Sequence, residues 1–144
     1  SAITRLLDIG VPPHLINATV LGIVAQRLIR VLCENCKQPV EPDVEAWQAL
    51  VRPFESPVPK RVYKPVGCLE CRHTGFVGRQ GIYEMMRMSP SLVKIIAKEN
   101  DVAPIRRQAL AESMELLRIS GARKVAAGVT TIEEVMRVAP ATEI

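Results

Sequence analysis

The 144-residue sequence contains no Gly-x-x-x-x-Gly-Lys-[Ser/Thr] and no Gly-x-Gly-x-x-Gly. It therefore lacks the glycine-rich backbone cradles that hold nucleotide phosphates in P-loop and dinucleotide-binding proteins. Histidine is scarce: His14 and His73 are the two present, and neither belongs to a paired motif. No catalytic residue is expected. Aromatic residues number five, too few for a surface that stacks on bases. No stretch approaches the ~18 consecutive apolar residues of a membrane span, because Arg27 and Arg30 interrupt the longest candidate, Val11 to Leu32. The chain starts Ser-Ala-Ile-Thr with no basic start plus apolar run, so no secretory leader is expected. The net charge of +4 comes from 19 basic and 15 acidic residues and does not by itself argue for nucleic acid. With 48% hydrophobic residues the length suffices for one domain or two small subdomains with a real core, of an ordinary soluble, cytosolic kind.

What the chain does have is four cysteines arranged as two pairs, Cys33-Glu34-Asn35-Cys36 and Cys68-Leu69-Glu70-Cys71, with 31 residues between them. Two-residue spacing lets two thiolates of one turn reach a single ion at about 2.3 Å, and a second turn completes the tetrahedron. Zinc is the first choice, in a structural site without an open position. Iron or an iron-sulfur cluster takes the same ligands. Paired disulfides suit a secreted framework, and a redox Cys-x-x-Cys wants one pair opening a helix after a strand. His73, two residues after Cys71, is read as a solvent-facing loop residue, since four thiolates already saturate zinc. His14 is read as a surface residue.

Three parts follow one another: residues 1–32, 33–81 and 82–144. In the first, Ala2, Ile3, Leu6 and Leu7 fall at helical spacing, and Gly10 is a plausible stop. Pro12 and Pro13 open a second helix whose apolar stripe runs from Leu15 through Val24. Leu28 to Leu32 is read as a strand entering the first cysteine pair. The middle part holds more than half of the prolines, which break long helices and central strands. A metal would give it the stability that a thin core cannot. Val44 to Val51 reads as one short helix, with Trp47 expected to pack over the metal loops. Gly75, Gly78 and Gly81 are read as turn residues and Ile82 to Met86 as a strand. From Ser89 the pattern is that of a small helical bundle. Ser89 caps one helix with Pro90 at its first position, and Asp101 caps the next, with Pro104 in its first turn. A third helix runs from about Met114 to Ala127 and stops at Gly128. Thr131-Ile132-Glu133-Glu134 has capping-box spacing and opens a fourth.

Three runs carry a resemblance. They are Leu21-Gly22-Ile23-Val24-Ala25-Gln26-Arg27-Leu28-Ile29-Arg30-Val31-Leu32-Cys33, the stretch from Gly67 to Glu84 containing Cys68-Leu69-Glu70-Cys71-Arg72-His73-Thr74-Gly75, and Gly128-Val129-Thr130-Thr131-Ile132-Glu133-Glu134-Val135-Met136-Arg137-Val138. Together they resemble the C-terminal end of the type II secretion and type IV pilus assembly ATPases, which are hexameric RecA-like motors. The resemblance implies a mainly α fold with a small β element. Residues 1–32 would be the end of the RecA-like core, 33–81 an inserted tetracysteine zinc subdomain, and 82–144 a strand and helical bundle. It implies that the phosphate loop, the acidic magnesium-binding box and a histidine box lie upstream of the Ala-x-x-Arg-Leu-Leu-Asp helix, here Ala2 to Asp8. ATP and Mg²⁺ would then belong to the full-length parent, and this piece alone would not hydrolyse ATP. Cys33, Cys36, Cys68 and Cys71 match the family's zinc ligands one by one. Platform proteins of the cytoplasmic membrane and the other subunits of a homohexamer are the implied partners, without nucleic acid. The implied location is the bacterial cytoplasm, peripheral at the inner membrane. Arg27 and Arg79 lie in matching motifs, where each either reaches a neighbour's nucleotide or forms a local salt bridge. The tail tilts the reading toward the secretion branch. The other classes considered are a zinc-ribbon nucleic-acid module, based on Lys60, Arg61, Lys64, Arg72 and Arg79 near Tyr63, Phe76 and Tyr83, and a chaperone-type zinc module. The helical C-terminal third is expected to survive loss of a cysteine.

Overall fold

A computed structural model describes residues 2–98, 102–112 and 114–141. Among them are seven helices and four strands. In chain order these are α1 (Ala2–Asp8), α2 (Pro13–Thr19), β1 (Gly22–Leu32), β2 (Gln38–Val40), α3 (Val44–Val51), β3 (Val62–Lys64), β4 (Phe76–Arg87), α4 (Pro90–Lys98), α5 (Val102–Ala111), α6 (Leu117–Ala126) and α7 (Ile132–Val138). β1 pairs with β4 in one two-stranded sheet. β2 and β3 form the other, antiparallel, with Pro39 opposite Tyr63. The β element is thus larger than the sequence suggested.

The boundaries depart from the sequence pattern in three places, each for a local reason. The second helix does not reach Val24 but ends at Thr19, with Val20 already extended at φ −79° and ψ 118°. From Ile23 on, β1 alternates: Ile23, Ala25 and the fully buried Ile29 are turned inward, and among these odd positions Arg27 is the exposed exception. The apolar residues around Ile23 thus serve a period of two, which a wide helical stripe resembles over so short a stretch. β4 begins at Phe76, so Gly78 and Gly81 lie within the strand. The third helix of the C-terminal part starts at Leu117 instead of Met114, because the Met114 amide is still bonded to the Ala109 carbonyl at the end of α5. Ser89 does cap α4, its hydroxyl accepting from the Leu92 amide at 3.2 Å. Asp101 lies outside the described residues.

Contacts divide the chain into two compact units that alternate along it, where the sequence suggested consecutive segments. One takes residues 1–25 and 84–115, the other 26–83 and 116–142. In the first, Ile3, Ile16, Leu92, Ile96, Ile105 and Ala109 form a buried cluster edged by Leu6, Val11 and Met88. In the second, α6 packs on α3 and α7. Leu50, Val125 and Val135 there are all completely buried. The four helices of the C-terminal part are therefore shared out, α4 and α5 to the first unit and α6 and α7 to the second, which also holds all four cysteines.

Candidate metal centre

Two turns bring the cysteines together. β1 enters the first with Leu32 and Cys33 buried, and the Cys33 amide donates to the Gly75 carbonyl at 2.9 Å. The chain closes on itself when the Lys37 amide donates to the Cys33 carbonyl at 3.0 Å. In the second turn the His73 amide donates to the Cys68 carbonyl at 2.8 Å, which puts Arg72 (φ 55°) and His73 (φ 62°) in the left-handed region. Gly75 follows at φ 83°, where a β-carbon would collide with the Pro65 side chain. Glycine is thus required there both by the backbone and by the neighbour. The Thr74 hydroxyl locks the exit by donating to the Cys71 carbonyl at 2.7 Å and accepting from the Phe76 amide at 3.2 Å.

The four sulfurs all lie within 4.8 Å of one another. Cys33 Sγ is 3.7 Å from Cys68 Sγ, Cys36 Sγ is 3.8 Å from Cys71 Sγ, and Cys68 Sγ is 3.7 Å from Cys71 Sγ. A tetrahedron with metal–sulfur bonds of about 2.3 Å has edges of about 3.8 Å. The cysteines are therefore free thiols spaced for one ion, and the separations are too long for disulfides. The surroundings favour thiolates at several of these positions. Amides of Cys68 and Gly75 each donate to Cys71 Sγ at 3.2 Å, the Gly67 amide to Cys36 Sγ at 3.3 Å and the Asn35 side chain to Cys68 Sγ at 3.3 Å. Burial works to raise the Cys71 thiol, but the amides of Cys68 and Gly75 outweigh it and bring it from 9.0 down to about 6. The Asn35 side chain, then the Cys71 amide, lower Cys68 as well. Burial dominates at Cys33 and raises it to about 11. A bound cation would reverse that last effect, since a coordinating thiol is deprotonated outright. The donor set fits a soft or borderline divalent ion.

The other residues singled out from the sequence lie elsewhere. His14 and His73 are exposed. Trp47 is 3% exposed, and its indole N–H donates to the Ser56 carbonyl at 3.1 Å. It packs in the α3–α6 region, beside a 310 Å³ cavity lined also by Ile119 and Ala122, and not over the cysteine turns. Arg27 is exposed and donates to the Gln26 carbonyl at 2.9 Å. Arg79 is exposed too, and neither arginine forms an ion pair among the described residues. Lys60, Arg61, Lys64 and Arg72 are likewise exposed.

One polar cluster escaped the sequence reading. Glu134 is 2% exposed. Its carboxylate accepts from the Arg30 amide at 3.1 Å, from the Arg30 guanidinium at 2.9 Å and from the Arg137 guanidinium at 2.6 Å. Burial pushes this carboxyl up, but Arg137 and then Arg30 outweigh it, leaving it at about 2 against an ordinary 4.5. Arg30 also lies 4.1 Å above the Phe76 ring. The available signal was the Thr-x-x-Glu spacing. Thr131 does cap α7 by accepting from the Glu134 amide at 3.1 Å, but the glutamate reaches across to β1 instead of back to the cap.

A sequence model of the family described as "Type II/IV secretion system protein" matches residues 1–137. The chain belongs to that family. It is 45% identical over 142 residues to the type IV pilus assembly ATPase TfpB of Acinetobacter baylyi, covering 99% of this chain and 24% of that protein. It is 42% identical to the type II secretion system protein E of Pseudomonas aeruginosa and 39% identical to the type II secretion system ATPase E of Vibrio cholerae, each over 137 residues, covering 95% of this chain and 27% of the relative. The chain thus spans about a quarter of the length of these secretion and pilus relatives. No helix among its described residues is long and apolar enough to cross a membrane.

Proposed function

We propose that this chain is the C-terminal, zinc-binding part of a hexameric ATPase that powers type II protein secretion. The observation that carries the reading is the closed tetrahedron of sulfurs in a chain that belongs to this family. Cys33, Cys36, Cys68 and Cys71 are the ligands, in a zinc-binding subdomain of residues 33–81. The ion, when bound, supplies charge neutralisation and a rigid cross-link between two turns that no disulfide joins. The protein's own part is to present the thiolates through N–H donors and to seat the turns on β1 and on the start of β4. With four sulfurs around one ion no position is left for water, so the site stiffens the segment and does no chemistry. ATP and Mg²⁺ act in the remainder of the full-length protein, and the stiffened segment transmits the resulting displacement to platform proteins of the cytoplasmic membrane. Its location is the bacterial cytoplasm, peripheral at the inner membrane.

The pilus branch is the second reading, favoured by the 45% identity to a type IV pilus assembly ATPase. A nucleic-acid module is disfavoured because two of the three rings such a surface would use already meet cations of this chain. Arg30 lies over Phe76, and Lys37 lies 4.7 Å above Tyr63. The test is Cys68→Ser in the full-length protein, with ATP hydrolysis and export or pilus extension measured side by side. Hydrolysis retained while export or extension is lost supports a transmitting role. Equal loss of both would show that the segment is needed for the hydrolytic assembly itself and overturn that role.

A further inference from the structure

Lys37 follows the first cysteine pair directly. In the fold its side chain is only 14% exposed. The ammonium donates to the Gly128 carbonyl at 2.9 Å and to Glu34 Oε1 at 3.0 Å, and it faces the Tyr63 ring at 4.7 Å. An ammonium has three N–H donors and no acceptor, so two oxygens and a ring face satisfy it fully. The three partners come from different places: the first cysteine turn, β3 and the turn between α6 and α7.

That distant turn holds the metal segment at a second point. The Leu32 amide donates to the Val129 carbonyl at 2.7 Å, and the Thr130 hydroxyl donates to the Arg30 carbonyl at 2.8 Å. Gly128 to Thr130 therefore grips the chain just before Cys33 and, through Lys37, just after Cys36. Gly128 sits at φ 78°, and a β-carbon there would come within 3.0 Å of the Tyr63 ring and 3.4 Å of Lys37 Nζ. The glycine leaves room for the Tyr63 ring that the lysine faces. A pair of ligands held from both flanks is pre-organised for its ion, and partners that orient ligands commonly change metal affinity 10–100-fold when removed.

We infer that Lys37 is a positioning residue that couples the metal centre to the α6–α7 turn, so that metal binding and the seating of α6 and α7 are one linked event. The inference rests on the metal reading above. By linkage the effect is reciprocal: a turn that tightens the ion is itself tightened by it. α4 and α5 belong to the other unit.

The test uses the zinc-loaded 144-residue chain with Lys37→Met, Lys37→Arg, Gly128→Ala and, as a control, Glu34→Gln, which removes only the 80% exposed partner. Zinc content is measured first, then the rate of zinc transfer to a colorimetric chelator, then backbone amide exchange. Lys37→Met and Gly128→Ala are expected to bind one zinc yet release it at least about tenfold faster. Exchange should rise at residues 128–131, while that of Leu92, Ile96 and Ile105 stays unchanged. Lys37→Arg should restore much of the slow release, and Glu34→Gln should behave as wild type. Unchanged release, with faster exchange confined to residues 34–37, would overturn the coupling and leave the metal site standing. A wild-type chain that takes up no zinc would overturn the metal reading itself and the coupling with it.

Discussion

At the scale of single residues the chain separates those whose type announces their role from those whose role depends on a partner far away in sequence. The cysteines are of the first kind, because Cys-x-x-Cys twice over is a short-range pattern and their convergence needs only two local turns. Glu134 is of the second kind: its spacing from Thr131 was legible, but its partner Arg30 lies 104 residues away. The consequence can be measured. Its carboxyl sits at about 2 in the fold against an ordinary 4.5, so the unfolded chain binds its proton first as pH falls. The stabilisation is therefore complete above about pH 4.5 and is lost as the pH falls through 2. Glu134→Gln is expected to cost about 2 kcal/mol at pH 7, the value of charge-assisted hydrogen bonds to a buried group. In urea unfolding of both metal-free chains, the gap between wild type and variant should hold from pH 7 to about 5 and close steadily at lower pH. A gap independent of pH would show that the cost is one of packing and not of charge.

At the scale of elements, legibility followed the strength of local punctuation. Val44–Val51 was read to the residue, and the fold shows Asp43 capping it there by accepting from the Ala46 amide at 3.1 Å. Pro90 and Thr131 marked their helices equally well. The passage from α2 to β1 had no such mark, since Thr19 to Val24 offers β-branched residues that suit either period, and hydrogen bonding to β4 decided it. Packing between elements left less trace still. Gly121, in the middle of α6, reads as a weak helix residue that alanine should improve by about 1 kcal/mol. In the fold, however, a β-carbon there would collide with the Val135 side chain of α7, itself fully buried. Gly121→Ala is therefore expected to destabilise by about 1–3 kcal/mol through overpacking. Thermal unfolding should show that Val135→Ala costs less in the Gly121→Ala background than alone. Additive losses would mean that the two side chains do not meet.

At the scale of the whole molecule, the order of elements was largely legible, but their allocation was not. Nothing local in α4 to α7 tells that the first two join α1 and α2 while the last two join the cysteine turns, because that division is made by long-range contacts. It matters for what removing the metal does. The sequence alone suggests that the helical third stands together, since none of its residues is a ligand. The architecture divides it. The cluster of Ile3, Ile16, Leu92, Ile96, Ile105 and Ala109 contains no residue of the unit that holds the cysteines. The other unit combines the metal turns with α6 and α7, and metal binding contributes on the order of 10 kcal/mol in small zinc domains. Calorimetry of the zinc-loaded chain and of the chain after chelation under reducing conditions is therefore expected to differ in one transition only. Chelation should lower the transition that carries the Trp47 fluorescence change, since Trp47 is buried in the metal-holding unit. The remaining transition should keep its temperature. If both moved together, the ordering of β1 and β4, which each contribute residues to both units, would have to make the chain a single cooperative body despite its two cores.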